Sequence, residues 1–207
     1  MLEVFNCEQG SPEWFACRVG IPTASEFATV LAKGRGGGES KTRQSYMHTL
    51  AGEILTGAPA ESYSNHHMER GHAMEAQARA MYAFETGAEC TPVGFLRAGR
   101  AGASPDSLVG SNGLVEIKTK LPKLLIDCIL RDEFPPEHKA QVQGQLWISG
   151  REWCDIAMFW PGLPLFVKRA YRDEAYITEL AQAVTAFNAE VDMIVDRVRA
   201  YDRREAA

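Results

Sequence analysis

The sequence has no run of about 18 apolar residues, the length a membrane-spanning helix needs, and its opening, MLEVFNCEQG, has neither a basic segment nor an apolar one. Both absences point to a soluble, cytoplasmic chain with no membrane partner. Basic residues are in deficit: 22 Lys and Arg face 27 Asp and Glu, a net charge of −5. Such a protein does not coat nucleic acid indiscriminately, so any contact with DNA must be local. The five cysteines, Cys7, Cys17, Cys90, Cys128 and Cys154, are odd in number, scattered and without a C-x-x-C pair. That pattern argues against a disulfide framework and against a zinc or iron–sulfur cluster. His66, His67 and His72 lack the H-E-x-x-H spacing, and the glycine-dense GRGGGES stretch lacks the G-K-[ST] ending of a phosphate loop. No internal repeat is present. What remains is 207 residues at 45% hydrophobic content, enough for one domain with a sizeable core and too little for two large ones.

The chemistry concentrates in ASPDSLVGSNGLVEIKTK, residues 103–120. A Ser-Pro-Asp corner delivers Asp106, Ser111-Asn112-Gly113 reverses the chain, and a β-branched run from Leu114 to Lys118 returns, which reads as a hairpin. With side chains alternating, Val115 and Ile117 point into a core, while Glu116 and Lys118 share the opposite face within reach of Asp106. Two converging carboxylates suit a hard cation such as Mg²⁺, which keeps several waters and binds through one or two carboxylates plus substrate phosphate. The metal would activate a water and clamp phosphate oxygens, and the Lys118 ammonium would position the nucleophile or offset developing charge. Singly, Asp after Pro is most often a turn former, and E-x-K on one strand face is most often a solvated ion pair. Their joint occurrence, P-D followed after nine intervening residues by E-I-K, carries the inference.

Elsewhere, Ser11-Pro12 predicts a helix start carrying Trp14, Phe15 and Arg18. The T-x-x-E spacing of Thr23 to Glu26 predicts a capping box and a second helix with Phe27, Val30 and Leu31 on its apolar side. Arg18 and Ser25 flank that helix start: an anion pocket on one reading, a snorkelling arginine and a first-turn serine on the other. Arg18, Lys33, Arg35, Lys41 and Arg43, against Glu26 and Glu39, form a local basic patch that suits DNA or a solvated surface. Helices are expected over 43–55 and 65–86, the latter with Met74, Ala78, Met81 and Phe84 as its core stripe. On it, Glu75 either pairs with Arg79 or leans over the metal site. A strand is expected over 90–96, a turn over 97–102, and helices over 121–130 and 138–148. The last carries Gln141 and Gln145, whose amides could hold an attacking water or the scissile phosphate. A second hairpin over 153–170 and an amphipathic helix over 173–203 complete an α/β chain. The N-terminal helices (11–56) and terminal helix (173–203) extend one domain spanning 1–207.

Five motifs occur in one order: R-x-G-x-x-T-A-S from Arg18, G-x-x-x-E-x-x-A-R from Gly71, A-S-P-D from Ala103, E-I-K from Glu116 and A-Q-V-Q-x-x-x-W from Ala140. In these the sequence resembles the phage lambda exonuclease and YqaJ family of recombination nucleases, within the PD-(D/E)xK superfamily. The resemblance implies a restriction-endonuclease-like core: a central twisted mixed β-sheet flanked by helices. It implies that Asp106 and Glu116, with Ile117, bind the metal, that Lys118 is the catalytic lysine, and that Glu75 and Gln141 complete the site. Arg18, Ser25 and Ser104 are similar to a pocket for the 5′-phosphate, Arg35 is counted among the DNA-binding residues, and Met68 falls where the family places an apolar wedge. The family's SPDG is here SPDS, putting Ser107 where a left-handed residue would be uncomfortable. The implied activity is Mg²⁺-dependent 5′-to-3′ degradation of one strand of linear duplex DNA, with Mn²⁺ as a substitute. The implied assembly is a homotrimeric ring working with a single-strand annealing protein of phage type. Alternatives are a structure-specific endonuclease of the same fold and a catalytically silent DNA-end-binding module.

Overall fold

A computed structural model describes residues 1–38, 40–60 and 66–202, and the side chains of all of these but residues 35, 66–73 and 202. The first half runs β1 (Leu2–Phe5), α1 (Pro12–Ala16), α2 (Phe27–Val30), α3 (Lys41–Thr56), α4 (His66–Thr86), β2 (Cys90–Thr91), β3 (Phe95–Ala98) and β4 (Ala101–Ala103). The second half runs β5 (Ser107–Val109), β6 (Gly113–Thr119), α5 (Pro122–Arg131), α6 (Lys139–Ser149), β7 (Trp153–Phe159), β8 (Phe166–Tyr171) and α7 (Glu174–Asp202). Among the described residues no helix is long and apolar enough to cross a membrane.

A five-stranded mixed sheet, in the order β2-β5-β6-β7-β8, carries the candidate site. The expected hairpin is its left half: β5 and β6 are antiparallel, with Ser107 opposite Val115 and Val109 opposite Gly113. β6 then pairs in parallel with β7, the crossover being made by α5 and α6, as a parallel pair requires. Ser107 sits at the start of β5 with no left-handed backbone, so the SPDS sequence carries no strain there.

The sheet is covered on both faces, which explains why β6 is buried over its first five residues rather than on alternate ones. On one face Val115 and Ile117 pack with Ala78 and Tyr82 of α4. On the other, Leu114 packs with Val142 and Leu146 of α6 and Ile177 of α7. α4 is tied to the sheet by a polar contact as well. The Tyr82 hydroxyl donates to Asp155 Oδ2 at 2.7 Å, and Arg169 donates to both oxygens of Asp155 at 2.8 Å.

A smaller antiparallel sheet, β1-β3-β4, packs with α2, α3, α6 and α7 around Phe27, Leu50, Leu96 and Phe187. It differs from the sequence-based expectation of one strand over 90–96 and a turn over 97–102. Pro92 has no N–H for a ladder, and a Cβ on Gly94 would sit 2.3 Å from the Cys7 carbonyl. The chain therefore leaves one sheet after Thr91 and enters the other at Phe95. Two further expectations fail locally. Phe84 is 89% exposed and Tyr82 is the buried aromatic of α4, because Tyr82 lies four residues from Ala78 on one helix face and Phe84 lies six. The Thr23 side chain makes no cap bond. Its Oγ1 is shared with Ser25 and Arg18, and Glu26 accepts from Thr29 instead. A turn of 3-10 helix over Ala24–Glu26 replaces the expected helix start.

Candidate active site

Asp106 stands at the corner where β4 hands over to β5, a corner braced by Gln9, whose Nε2 donates to the carbonyls of Val93 and Pro105 at 2.8 and 3.0 Å. From there Asp106 Oδ2 accepts the main-chain N–H of Ile117 at 2.5 Å. That bond fixes the first acid against the middle of β6, between the second acid and the lysine. Glu116 and Lys118 share a strand face, as alternation requires, and Lys118 Nζ lies 2.7 Å from Glu116 Oε1.

Glu116 is 3% exposed and is held from α6. Gln141 Nε2 donates to Oε1 and Gln145 Nε2 to Oε2, each at 2.5 Å. Burial of a carboxylate is costly unless its oxygens find such partners. Burial lowers the pKa of Lys118, but the Glu116 and Asp106 carboxylates outweigh it and hold the ammonium above its ordinary value. Lys118 is thus a cation and a donor beside Glu116. The Asp106 carboxyl is pushed well above its usual range, first by burial and then by the carboxylates of Glu116 and Glu75, against the pull of the Ile117 N–H and Lys118.

Glu75 of α4 faces the same cleft as Asp106, a cavity of about 720 Å³ that is also lined by Arg79, Gln9 and Val93. Its carboxylate is engaged by Arg79, and Arg79 Nη2 also approaches the Asp106 carbonyl at 3.5 Å. Glu75 is thus one half of an i,i+4 pair that lines the cleft beside Asp106 and helps raise the pKa of Asp106. Among the described residues no three His, Cys, Asp or Glu side chains cluster tightly enough to hold a metal. The donors that could hold a divalent ion are fewer: the carboxylates of Asp106 and Glu116 with the main-chain carbonyl of Ile117, whose side chain is buried in the core. Two carboxylates near each other at a buried position are donors of the kind a hard cation takes.

The second group of expected residues is brought together by two that were read only as helix residues. The Arg18 guanidinium lies over the Trp14 indole, 3.6 Å from the ring centroid, and its Nη2 is 3.5 Å from Thr23 Oγ1. Thr23 Oγ1 is in turn 3.2 Å from Ser25 Oγ, and Trp14 Nε1 donates to Ser104 Oγ at 2.9 Å. Arg18, Ser25 and Ser104 are thus joined through Trp14 and Thr23. Arg18 has no carboxylate within ion-pair distance among the described residues. Its pKa is lowered by burial. The spacing of Trp14 and Arg18, four apart at the end of a helix, was the available signal for the stack.

Arg43 is not part of an open basic patch. It donates to both oxygens of Glu190 at 2.7 Å and to the Val30 carbonyl at 3.1 Å, clamping α3 to α7. The side chains of Arg35 and Met68 lie outside the described residues.

The YqaJ-like viral recombinase domain matches residues 13–152, a span that includes Asp106, Glu116 and Lys118. The structure of an alkaline exonuclease, LHK-Exo, from Laribacter hongkongensis is similar with a TM-score of 0.85 and 37% identity, covering 94% of this chain and 99% of that one. The same protein in complex with dAMP matches equally. A phage-related exonuclease from Haemophilus somnus shares the fold at a TM-score of 0.65 and 14% identity, over 86% of this chain and 96% of that one. No curated protein matches the chain.

Proposed function

The chain belongs to the YqaJ-like viral recombinase domain family, and from that premise we propose that it is a divalent-metal-dependent exonuclease. It acts at the ends of linear duplex DNA, degrading one strand 5′ to 3′ and leaving 3′ single strands for recombination by annealing. The observation that carries this reading is the convergence on β6 of Asp106, Glu116 and Lys118, fixed by the Asp106–Ile117 and Lys118–Glu116 bonds. The similar Laribacter protein is an alkaline exonuclease and binds dAMP, which supports a mononucleotide as the product here.

Asp106, Glu116 and the Ile117 carbonyl would hold the ion, Mg²⁺ in our reading with Mn²⁺ able to replace it. When bound, it lowers the pKa of water and offsets charge on phosphate oxygens. The protein does the rest. Lys118 keeps its proton and places an ammonium beside Glu116, where it stabilises charge developing on the phosphate or orients the attacking water. Gln141, at the open side of Glu116, offers the amide carbonyl left by its N–H bond as an acceptor for that water. Arg18, with Ser25 and Ser104, grips the 5′-phosphate of the strand being cut, since a guanidinium with no carboxylate partner is suited to a phosphate.

A net charge of −5 gives the chain little unspecific hold on DNA. We therefore read the active species as a closed ring that retains its substrate by encirclement; that the ring is a homotrimer, operating in the cytoplasm with a single-strand annealing protein and encoded by a phage or prophage, is what the family resemblance implies. Digestion of 5′-phosphorylated linear, 5′-hydroxyl linear and circular duplexes, with and without Mg²⁺, tests the activity. Release of 5′-mononucleotides from linear DNA only, and only with metal, is expected. Cutting of circles would favour an endonuclease, and end binding without release a silent module. Light scattering should give a mass near three times 22.9 kDa.

A further inference from the structure

Glu116 is held by three donors that are not equivalent. Gln141 and Lys118 both reach Oε1, and both are partly exposed. Gln145 alone reaches Oε2, and it is 1% exposed, at the base of the site. Cys154 of β7, fully buried, places its Sγ 3.7 Å from both Gln145 Oε1 and the Asp155 carbonyl, so the amide oxygen is one of two acceptors open to the thiol hydrogen, and the amide nitrogen faces the carboxylate.

The helix that carries Gln145 has little freedom to shift. At Gly144 a Cβ would lie 2.4 Å from the Phe27 ring, so α6 approaches α2 as closely as only glycine allows. Next to it, Gln143 donates to the Tyr171 carbonyl at 2.8 Å and accepts from the Asp173 N–H at 2.9 Å. Gln145 is therefore a donor of fixed position on a fixed helix. A carboxylate whose Cα is set by a strand still has rotational freedom about its last bonds, and a bond to one oxygen from a rigid partner removes it.

We propose that Gln145, with Cys154 behind it, is a positioning residue of the nuclease site: by holding Oε2 it fixes the rotation of the Glu116 carboxylate, so that Oε1, the oxygen shared with Gln141 and Lys118, is the one turned toward the divalent ion. This rests on the reading of Glu116 as a metal-binding acid. Outer partners of this kind change metal affinity or activity by about 10–100-fold when removed.

The test compares Mn²⁺ affinity of the DNA-free protein, by electron paramagnetic resonance, with steady-state kinetics on a linear duplex. Gln145→Met keeps the side-chain length and loses the donor. It should weaken Mn²⁺ binding about tenfold and lower kcat by a similar factor, with KM for the duplex unchanged. Wild-type Mn²⁺ affinity and kcat in this variant, with or without a lower Tm, would overturn the proposal. Should Gln145→Met not fold, Cys154→Val and Cys154→Ser decide. Valine removes the donor to Gln145 and serine keeps one, so valine should lose severalfold more Mn²⁺ affinity, and equal affinities would overturn the proposal. Glu116→Gln separates the two layers. If it abolishes Mn²⁺ binding while Gln145→Met does not weaken it, only the positioning role falls; if it leaves Mn²⁺ binding intact, the metal-site reading falls and the positioning role with it.

Discussion

The guanidinium of Arg18 stacks on the indole of Trp14 at 3.6 Å, and the same indole donates its N–H to Ser104 at 2.9 Å. One aromatic ring therefore aligns the cation and the serine that we propose for the 5′-phosphate. A cation held flat on a ring keeps its outward N–H groups pre-organised for an anion, and the stack itself contributes about 0.5–2 kcal/mol.

It follows that Arg18→Ala should remove most of the preference for 5′-phosphorylated over 5′-hydroxyl ends. Trp14→Ala should reduce the preference without abolishing it, because the guanidinium remains but is no longer held. Single-turnover rates on the two duplexes measure this. Equal wild-type rates on both ends would show that the Arg18 cluster does not read the terminus.

Tyr82 ties α4, which carries Glu75 and Arg79, to the central sheet through Asp155, itself 2% exposed. Burial and the Asp155 carboxylate raise the pKa of Tyr82, so its hydroxyl remains a donor. Tyr82→Phe keeps the ring packing against Val115 and Ala157 and deletes a hydrogen bond to a charged group, costing about 2 kcal/mol. Urea unfolding should show a lower midpoint at constant m. An unchanged midpoint would mean that Arg169 alone satisfies Asp155.

His138, at the start of α6, has its pKa lowered to about 4, by burial and then by the neighbouring Lys118 and Lys120. Its Nε2 is buried without a hydrogen-bond partner. The folded state resists protonation that the unfolded chain accepts near 6.5. The associated stability is complete above about pH 6.5 and is lost progressively as the pH falls to 4, by about 3 kcal/mol in all. His138→Phe should flatten that acid limb in denaturant titrations between pH 6.5 and 4. A limb of the same slope in the variant would assign the loss to other groups.

The central hairpin was legible because a turn sequence and an alternating strand coincide in one short stretch. So was the start of α1 with its Ser11 N-cap, whereas α3, expected from Arg43, begins at Lys41 behind a Ser40 N-cap. β1 was not, because its four residues are mostly exposed and show no alternation; only its pairing with β3 makes it a strand. Thr23 shows the capping-box spacing, but a tertiary partner, Arg18, competes for its hydroxyl. Arg43 counted toward a basic patch by position, and only the packing of α3 on α7 reveals Glu190 as its partner. At the site, the acids and the lysine were readable from strand alternation. The difference between Gln141 and Gln145 was not, since both lie on one face of α6 and only depth in the fold separates them.

The claim on which the rest depends is that Glu116, buried on β6 between Lys118 and the two glutamines, is part of a hydrolytic metal site. Glu116→Gln removes the charge at constant shape, and the measurement is the rate of nucleotide release from a 5′-phosphorylated linear duplex with Mg²⁺, alongside equilibrium binding to the same end. The expected result is binding retained and hydrolysis reduced by two to three orders of magnitude, on the order of what loss of a principal electrostatic group costs an enzyme. A folded Glu116→Gln protein that hydrolyses DNA at the wild-type rate would contradict it.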